Sequence, residues 1–403
     1  MINKPNFRST LRPKGKLQWT LTIVAFILCL ISPFLLYYTV YPHSAYHVFS
    51  ILAMVFSIDP RIMLITVAII ILFGVFAFWK KTFLAAIAYM ITLCLFSSAM
   101  FYQFYGVYSM AKDENISLSI IQNFGRSSTY TDLPNHSMND IVYATLKDGT
   151  KLLLNVWPAQ NANASKPGPA IVRIHGGGWV EGGRGESPHW NQWLNEKGYT
   201  VFDVEYRMPP PERWKVEVGD VKAAIGWVAE NASTYNIDPE RISLMGQSAG
   251  GNLAMLAAYS MNSGSLPPSV GDTVVPIKSV INFYGPSDLT RLFDHSLSLD
   301  YVHNILSQYI GGSPSDFPER YQAVSPIQYV NSTTPPTITF LGLNDHIIPA
   351  EQEEVLDQAM TSAGAYHEMY LLPGADHAFD TYLGNIATQY ARAKLEAFLK
   401  EHS

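Results

Sequence analysis

Cysteine is nearly absent from this chain of 403 residues, which contains only Cys29 and Cys94. Both lie inside long apolar runs near the start of the sequence, and no cysteine follows them. Disulfide bonds therefore cannot hold the remainder of the chain together. That remainder has to be stabilised by an apolar core of its own.

A large excess of one charge is missing as well. Charged residues make up 15% of the chain and the net charge is −6. The chain therefore lacks the net positive charge that favours binding to nucleic acid. The Cys and His spacing typical of zinc sites is also absent. These absences argue against a nucleic-acid-binding protein and against a metal site.

Long apolar runs, in contrast, dominate the sequence between Leu17 and Tyr105. Residues 17–38, 62–79 and 83–105 are uncharged, and each run is about long enough to cross a bilayer as a helix. Core helices of a soluble protein are one alternative, and a cleaved signal peptide is another for the first run. Three such runs in succession favour a membrane anchor formed by residues 1–110.

Basic residues predict the orientation of this anchor. The loop between the first and second runs, 41–61, contains one basic residue, Arg61. The segment before the first run and the loop between the second and third runs contain the others: Lys4, Arg8, Arg12, Lys14, Lys16, Lys80 and Lys81. Positive loops remain in the cytoplasm, so we expect a cell-membrane protein whose chain after Tyr105 is extracytoplasmic. A short apolar stretch, 46–58, favours an interfacial helix. If it crossed the membrane instead, the predicted side would reverse.

After a polar connector at 111–137, residues 138–403 alternate between strand and helix patterns. Asp148-Gly149 lies between two strand-like runs, 140–146 and 150–157, which is typical of a hairpin. Further strands are expected at 170–174, 199–204, 241–245, 277–284, 337–341 and 369–372, and helices at 189–197, 218–235, 252–261 and 386–400. This order predicts an α/β fold with a mainly parallel sheet and helices on both faces.

Residues 286–325 interrupt that alternation. The segment is rich in Ser, Asp, His, Gly and Pro and falls between two predicted strands. A cap inserted over the active site and a plain surface loop with short helices both remain open.

The pentapeptide Gly246-Gln247-Ser248-Ala249-Gly250 lies between a predicted strand and a predicted helix. A serine nucleophile on a sharp strand-to-helix turn needs small neighbours, because the backbone there is crowded. A tight turn with an ordinary serine is the alternative. The context favours Ser248 as the nucleophile.

A second motif, His175-Gly176-Gly177-Gly178-Trp179, directly follows a buried strand. Consecutive glycines let main-chain N–H groups face a developing oxyanion without obstruction by side chains. A flexible glycine turn would explain the glycines but not their position about seventy residues before the serine. We therefore expect the oxyanion hole to be formed by the N–H groups of Gly177, Gly178 and Ala249, with His175 in a structural role.

A serine hydroxyl needs a base, and the base needs an acid, in the chain order Ser, acid, His. Asp345 and His377 each follow a predicted strand in a loop, so we expect them to complete a Ser248–His377–Asp345 triad. Three rivals exist. His346 and Asp376 each adjoin a chosen residue, and His367 lies before the last strand, in a turn after a helix.

These motifs together resemble the hormone-sensitive-lipase-like and bacterial feruloyl-esterase-like (BD-FAE) branches of the α/β-hydrolase fold. The resemblance begins near Asp140 and includes Ser325-Pro326-Ile327 and the Asp345 and His377 loops. It implies hydrolysis of carboxylic esters through an acyl-enzyme, without a cofactor. Two segments depart from the usual pattern: Gln247 stands where an acidic residue is most common, and the 209–213 tract is unusual.

The resemblance leaves other functions open. A peptidase or an acyltransferase would use the same triad, and a non-catalytic binding module on a membrane stalk is an alternative from another class. We expect a small-molecule, lipid or acylated-glycan ester as substrate and the bilayer as partner. Side chains that flank the predicted loops and are candidates for an apolar substrate pocket are Trp179, Val180, Tyr284, Ile347 and Phe379.

Overall fold

The computed structural model describes residues 13–43, 48–125, 137–160, 166–208 and 214–403. The N-terminal part forms a helical bundle of α1 (Lys16–Val40), α2 (Val48–Ile58), α3 (Pro60–Trp79) and α4 (Phe83–Asp113). Asp59 caps α3, because its carboxylate accepts a hydrogen bond from the Arg61 N–H at 3.0 Å. Among the described residues, α1, α3 and α4 are long and apolar enough to cross a membrane.

The surface of this bundle is apolar. Leu30, Leu72 and Phe101 are 60–69% exposed, and many other large apolar side chains on the same helices also point outward. A buried helix of a soluble protein would cover such side chains with protein. This exposure is what the prediction of a membrane anchor expects, and it does not fit the alternative of three soluble core helices.

The structure lengthens the third predicted span and changes the connector. Helix α4 continues eight residues beyond 105, and its Val107 and Ala111 join the core of the C-terminal domain. The connector also contains a short helix, α5 (Ile120–Phe124). Residues 126–136 of the connector, and 46–47 of the predicted interfacial helix, lie outside the described residues.

One eight-stranded sheet forms the centre of the C-terminal domain, with strand order β1-β2-β4-β3-β5-β6-β7-β8. Strand β2 is antiparallel to both neighbours, and all the other pairs are parallel. The strands are β1 (Met138–Thr145), β2 (Lys151–Trp157), β3 (Gly168–Ile174), β4 (Thr200–Val204), β5 (Ile237–Gln247), β6 (Ile277–Phe283), β7 (Thr337–Gly342) and β8 (His367–Leu372). The predicted α/β-hydrolase fold class is confirmed.

The helices follow the expected alternation with local differences. They are α6 (Pro188–Glu196), α7 (Val216–Glu230), α8 (Ala232–Tyr235), α9 (Ala249–Tyr259), α10 (Leu289–His295), α11 (Leu299–Ile310), α12 (Pro318–Ala323), α13 (Glu351–Ala363) and α14 (Ile386–His402). The single helix expected at 218–235 is interrupted at Asn231, whose side-chain amide donates to the Trp227 carbonyl at 2.8 Å. The 286–325 segment contains three of these helices, α10 to α12.

The sheet positions the site because parallel strands end at one edge. Strands β3, β5, β7 and β8 run in the same direction, and their carboxyl ends lead into the loops that carry His175, Ser248, Asp345 and His377. The interiors of β3 to β7 are buried, so the core fixes the origins of the His175, Ser248 and Asp345 loops. Strand β8, from which the His377 loop starts, is partly buried.

Candidate active site

Ser248 occupies a sharp turn between β5 and α9. Its backbone has φ 53° and ψ −123°, a conformation that costs a non-glycine residue about 1–3 kcal/mol. Two main-chain hydrogen bonds hold the turn: the Ser248 N–H donates to Phe283 O at 2.9 Å, and the Asn252 N–H donates to Ser248 O at 3.1 Å. The side chain of Ser248 is consequently presented at the carboxyl edge of the sheet.

The glycines around this serine are required by close backbone approach. A Cβ on Gly246 would collide with the main chain of Gly250, and a Cβ on Gly250 would collide with the carbonyl oxygens of Ile174 and His175. The turn therefore accepts no larger residue at either position without a backbone shift. The pattern of small residues in the sequence follows from this crowding.

Three predicted residues form one hydrogen-bonded chain. His377 Nε2 lies 3.1 Å from Ser248 Oγ, and His377 Nδ1 lies 2.8 Å from Asp345 Oδ2. The second oxygen of Asp345 accepts hydrogen bonds from the N–H groups of Ile347 and Ile348, both at 2.8 Å. Because both carboxylate oxygens are engaged, Asp345 presents one fixed acceptor to the imidazole.

The electrostatics of His377 favour a base at neutral pH. Burial lowers the pKa of the imidazole and is the largest single influence, but the charge and hydrogen bond of Asp345, together with the charges of Asp376 and Asp380, outweigh it. The pKa of His377 is therefore raised above its ordinary value of 6.5.

The rival residues take other partners. His346 Nδ1 lies 2.6 Å from Asp376 Oδ2, and both side chains are almost fully buried. Asp376 also accepts from the His377 N–H at 2.7 Å, so this second pair holds the two loops together beside the triad. His367 is the first residue of β8, not part of a turn, and its Nδ1 lies 3.0 Å from Asp357.

The predicted oxyanion donors are main-chain groups. Gly177 and Gly178 follow β3, and Ala249 is the first residue of α9, where helical N–H groups have no partner within the helix. None of their three N–H groups donates to an acceptor within the described part of the chain. This is compatible with their predicted role as oxyanion donors.

His175 has the features of a structural residue. Its ring stacks on Tyr206 with centroids 4.2 Å apart, and its Nδ1 lies 2.7 Å from Gly176 O. Burial lowers the pKa of His175 to about 4, so the ring is neutral at pH 7. It shapes the glycine loop without carrying charge.

A cavity of about 240 Å³ opens beside the serine. Of the five pocket candidates, Tyr284 and Ile347 line it. Trp179 is instead buried and stacks on Tyr309, and Phe379 is fully buried against Phe283 and Tyr284. Val180 packs at the edge of the core.

Several lining residues were not predicted from the sequence. They include Arg173, Glu186, Tyr301 and Thr381. Tyr301 belongs to α11, so the 286–325 segment reaches the cavity. An apolar helical pattern at 302, 305, 306 and 309 is the signal that identifies this helix.

Gln247 bridges two buried charged groups. Its Oε1 accepts from Arg173 Nη1 at 3.3 Å, and its Nε2 donates to Asp380 Oδ2 at 3.3 Å. An acidic side chain at this position would face Asp380 with like charge. The neutral Gln247, in place of the usual acidic residue, therefore avoids repulsion with the carboxylate of Asp380.

A group of three or more His, Cys, Asp or Glu side chains suited to a metal ion is not found among the described residues.

Sequence relatives are named as esterases. Esterase LipQ of Mycobacterium tuberculosis is 32% identical over 247 residues, which cover 60% of this chain and 57% of LipQ. Isoprenylcysteine α-carbonyl methylesterase ICME of Arabidopsis thaliana is 28% identical over 256 residues, which cover 62% of this chain and 56% of ICME. The matches thus span less than three fifths of the length of these relatives.

Solved structures of esterases share the fold of the C-terminal domain. An esterase of Thermogutta terrifontis with propionate bound matches with a TM-score of 0.56 and 26% identity, over 66% of this chain and 94% of that one. The BD-FAE family model matches residues 158–360, about half of the chain. With this match and the sheet described above, the chain belongs to the BD-FAE family of α/β-hydrolases.

Proposed function

We propose that the protein is a membrane-anchored serine hydrolase of carboxylic esters. The observation that carries this proposal is the hydrogen-bonded chain from Ser248 Oγ through His377 to Asp345. Named esterases among its relatives support the same reaction class.

In the proposed acylation step, His377 Nε2 accepts the proton of Ser248 Oγ while that oxygen attacks the ester carbonyl carbon. The negative charge that develops on the carbonyl oxygen is stabilised by the N–H groups of Gly177, Gly178 and Ala249. Asp345 stabilises the resulting imidazolium. The tetrahedral intermediate collapses when His377 returns the proton to the leaving alkoxide.

Deacylation repeats these steps with water. His377 takes a proton from a water molecule, and the hydroxide attacks the acyl carbon bound to Ser248 Oγ. The same N–H groups stabilise the second oxyanion. The proton then returns to Ser248 and the carboxylic acid is released.

We further propose that residues 1–110 anchor the enzyme, with residues 138–403 as an extracytoplasmic catalytic domain. Gln18 Nε2 donates to Lys80 O at 2.8 Å, so Lys14, Lys16, Lys80 and Lys81 cluster at one end of the bundle. The contacts with the catalytic loops lie at the opposite end, near Thr39 and Ser57. Lysines at the cytoplasmic end support an outward-facing catalytic domain.

The geometry of α2 favours the interfacial alternative over a fourth crossing. The chain before α2 contacts Asn344 through Thr39 O, and the end of α2 contacts Gly374 through Ser57 Oγ. Asn344 and Gly374 are themselves hydrogen-bonded, so both sides of α2 return to the same end of the bundle. Eleven helical residues also span only about 16 Å, about half of a bilayer core.

The volume of the cavity favours a small acyl group. Its volume of about 240 Å³ is below that of a site for a drug-sized ligand, about 300–1,000 Å³. Structures of the Thermogutta esterase contain propionate or butyrate. We propose esters of short carboxylic acids as the substrate class, carried by a small molecule, a lipid or a glycan.

The test is Ser248→Ala in the purified full-length protein. We expect hydrolysis of p-nitrophenyl acetate to be abolished and labelling by a fluorophosphonate to disappear, because both reactions need the serine oxygen. Ser260→Ala, at the other end of α9, is the matched control and should retain both activities. Hydrolysis that survives Ser248→Ala would contradict the proposal.

A further inference from the structure

The anchor helices contact the two loops that carry Asp345 and His377. Helix α1 reaches them at Thr39, α2 at Ser57 and α4 at Tyr102 and Gln103. Each of these contacts lies at the end of the bundle opposite the lysine cluster. The loops that supply the acid and the base therefore rest on the anchor.

Ser57 contacts the segment that precedes His377. The Asp376 N–H donates to Ser57 Oγ at 3.1 Å, and Ser57 Oγ donates to Gly374 O at 3.2 Å. The carbonyl of Ser57 in turn accepts from Asn385 Nδ2 at 2.6 Å. Ser57 is 93% buried, so water does not replace these bonds readily if its hydroxyl is removed.

Asn344 makes the corresponding contact beside Asp345. Its Nδ2 donates to Thr39 O at 2.8 Å, and its Oδ1 accepts from the Gly374 N–H at 3.0 Å. One buried amide thus joins helix α1, the acid loop and the histidine loop. Its neighbour Asp345 depends on this loop for its position.

Helix α4 approaches the histidine loop at van der Waals distance. A Cβ on Gly106 would lie 2.5 Å from the Cβ of Pro373, and a Cβ on Gly374 would lie 2.7 Å from the Cα of Gln103. The fit leaves no room for a side chain on either side. Displacement of α4 would therefore displace Pro373 and Gly374.

We propose that the membrane-helix bundle is a positioning element of the active site, in which Ser57 holds the His377 loop and Asn344 the Asp345 loop. This inference rests on the proposed ester hydrolysis. A hydrogen-bonded Ser248–His377–Asp345 chain requires both loops at fixed height above the sheet, and the ends of α1, α2 and α4 set that height. The packing of the bundle is in this way coupled to the rate of the reaction.

The experiment compares Ser57→Ala with Ser50→Ala in the full-length protein in one detergent. Ser50 is a buried serine of the same helix, and its hydroxyl has no hydrogen-bond partner within the described residues. We expect Ser57→Ala to lower kcat for p-nitrophenyl acetate about 10-fold with KM nearly unchanged, since misplacement of a catalytic group by about 1 Å can cost about 10²-fold. Ser50→Ala should retain the wild-type kcat.

Two further readouts separate positioning from a loss of stability. Labelling of Ser248 by a fluorophosphonate should slow in parallel with kcat. The acid limb of the kcat/KM profile should move to lower pH, because a looser contact with Asp345 lowers the pKa of His377. Reduced stability alone would lower the active fraction and leave the limb in place, which would overturn the inference.

Asn385→Asp provides a second variant of nearly identical shape. The carboxylate retains the cap of α14 at the Ala387 N–H but cannot donate to Ser57 O. We expect the same fall in kcat and the same shift of the acid limb, together with a lower melting temperature, because the buried carboxylate faces the carbonyl oxygens of Ser57 and Ile58. Wild-type kcat and labelling rate in both Ser57→Ala and Asn385→Asp would refute the inference. A wild-type protein that neither hydrolyses the ester nor reacts with the fluorophosphonate would instead refute the proposed function itself.

Discussion

At the residue scale, Asp345 uses both carboxylate oxygens: one accepts from two main-chain N–H groups and the other from His377 Nδ1. An amide in place of this carboxylate would keep the main-chain bonds through its oxygen. Its NH₂ group would then face the imidazole and favour the wrong tautomer. The carboxylate is therefore needed for chemistry more than for the shape of the loop.

We predict that Asp345→Asn lowers kcat about 10⁴-fold, as loss of the triad carboxylate does in other serine hydrolases. The measurement is the kcat for p-nitrophenyl acetate together with the circular dichroism spectrum, which should be unchanged. Asp357→Asn is the matched control, because Asp357 pairs with His367 Nδ1 at 3.0 Å away from the serine. A similar loss of rate in Asp357→Asn would contradict a special role for Asp345.

The raised pKa of His377 predicts a pH dependence. Protonated imidazole cannot accept the proton of Ser248, so kcat/KM should fall as the pH drops through a value above 6.5. Above that value His377 is neutral and the rate should reach a plateau. A pH series with p-nitrophenyl acetate measures this limb, and a midpoint below 6.5 would contradict the electrostatic argument.

The sequence indicates Ser248, Asp345 and His377 because each follows a strand, and parallel strands bring their carboxyl ends together. The distances among the three are compatible with the predicted roles, which remain predictions until the variants are measured. Arg173 and Glu186 could not be predicted as cavity residues, since they reach the cavity through contacts between separate segments. Trp179 and Phe379 flank the predicted catalytic loops in sequence, but apolar packing buries both side chains and neither lines the cavity.

At the element scale, α11 contributes Tyr301 to the wall of the cavity. Val302, Ile305, Leu306 and Tyr309 bury one face of this helix, and Tyr301 projects into the cavity near Gly178. This placement supports the hypothesis that 286–325 forms a cap. The helices of the segment are short and separated by turns, so its composition alone is typical of a loop.

We predict that Tyr301→Ala enlarges the acyl site and shifts the chain-length preference toward longer esters. The measurement is kcat/KM for p-nitrophenyl acetate, butyrate and octanoate. We expect the octanoate-to-acetate ratio to rise about 10-fold, which is about what burial of one or two methylene groups contributes. Tyr329→Ala, outside the cavity lining, should leave the ratio unchanged. An unaltered ratio in Tyr301→Ala would place the acyl chain elsewhere.

Most elements were predictable from apolar runs, because a strand buried on both faces has a continuous apolar sequence. The split of α7 from α8 at Asn231 was not, since it depends on one side-chain amide that competes with the helix. The extension of α4 beyond Tyr105 was missed for a different reason. Its outer turns are apolar on the side that packs against the catalytic core, and this partner is not visible in a local pattern.

At the scale of the whole molecule, the two ends of the bundle differ in charge and in contacts. The basic end carries Lys80 and Lys81, and the other end carries the catalytic domain. The sequence predicts the first of these features from composition. The docking of Ser57 on Gly374 could not be predicted, because it joins residues that are 317 positions apart.

We predict that protease added to intact cells expressing the full chain digests the catalytic domain and spares an N-terminal tag. The reason is the lysine cluster, which favours the cytoplasmic side. Immunoblots against the tag and against the C-terminus measure the two regions, and permeabilised cells serve as the control. A catalytic domain that resists digestion until the membrane is opened would reverse the proposed orientation.

Helix α4 has 31 residues and is therefore about 46 Å long, whereas a bilayer core is about 30 Å thick. Under the proposed anchoring, about ten residues of one continuous helix stand above the hydrocarbon and enter the catalytic core. The helix then forms a rigid connection between the bilayer and the catalytic domain. The active site stays at a constant distance from the bilayer surface and moves with the protein by lateral diffusion. Esters farther from the membrane must therefore diffuse to it.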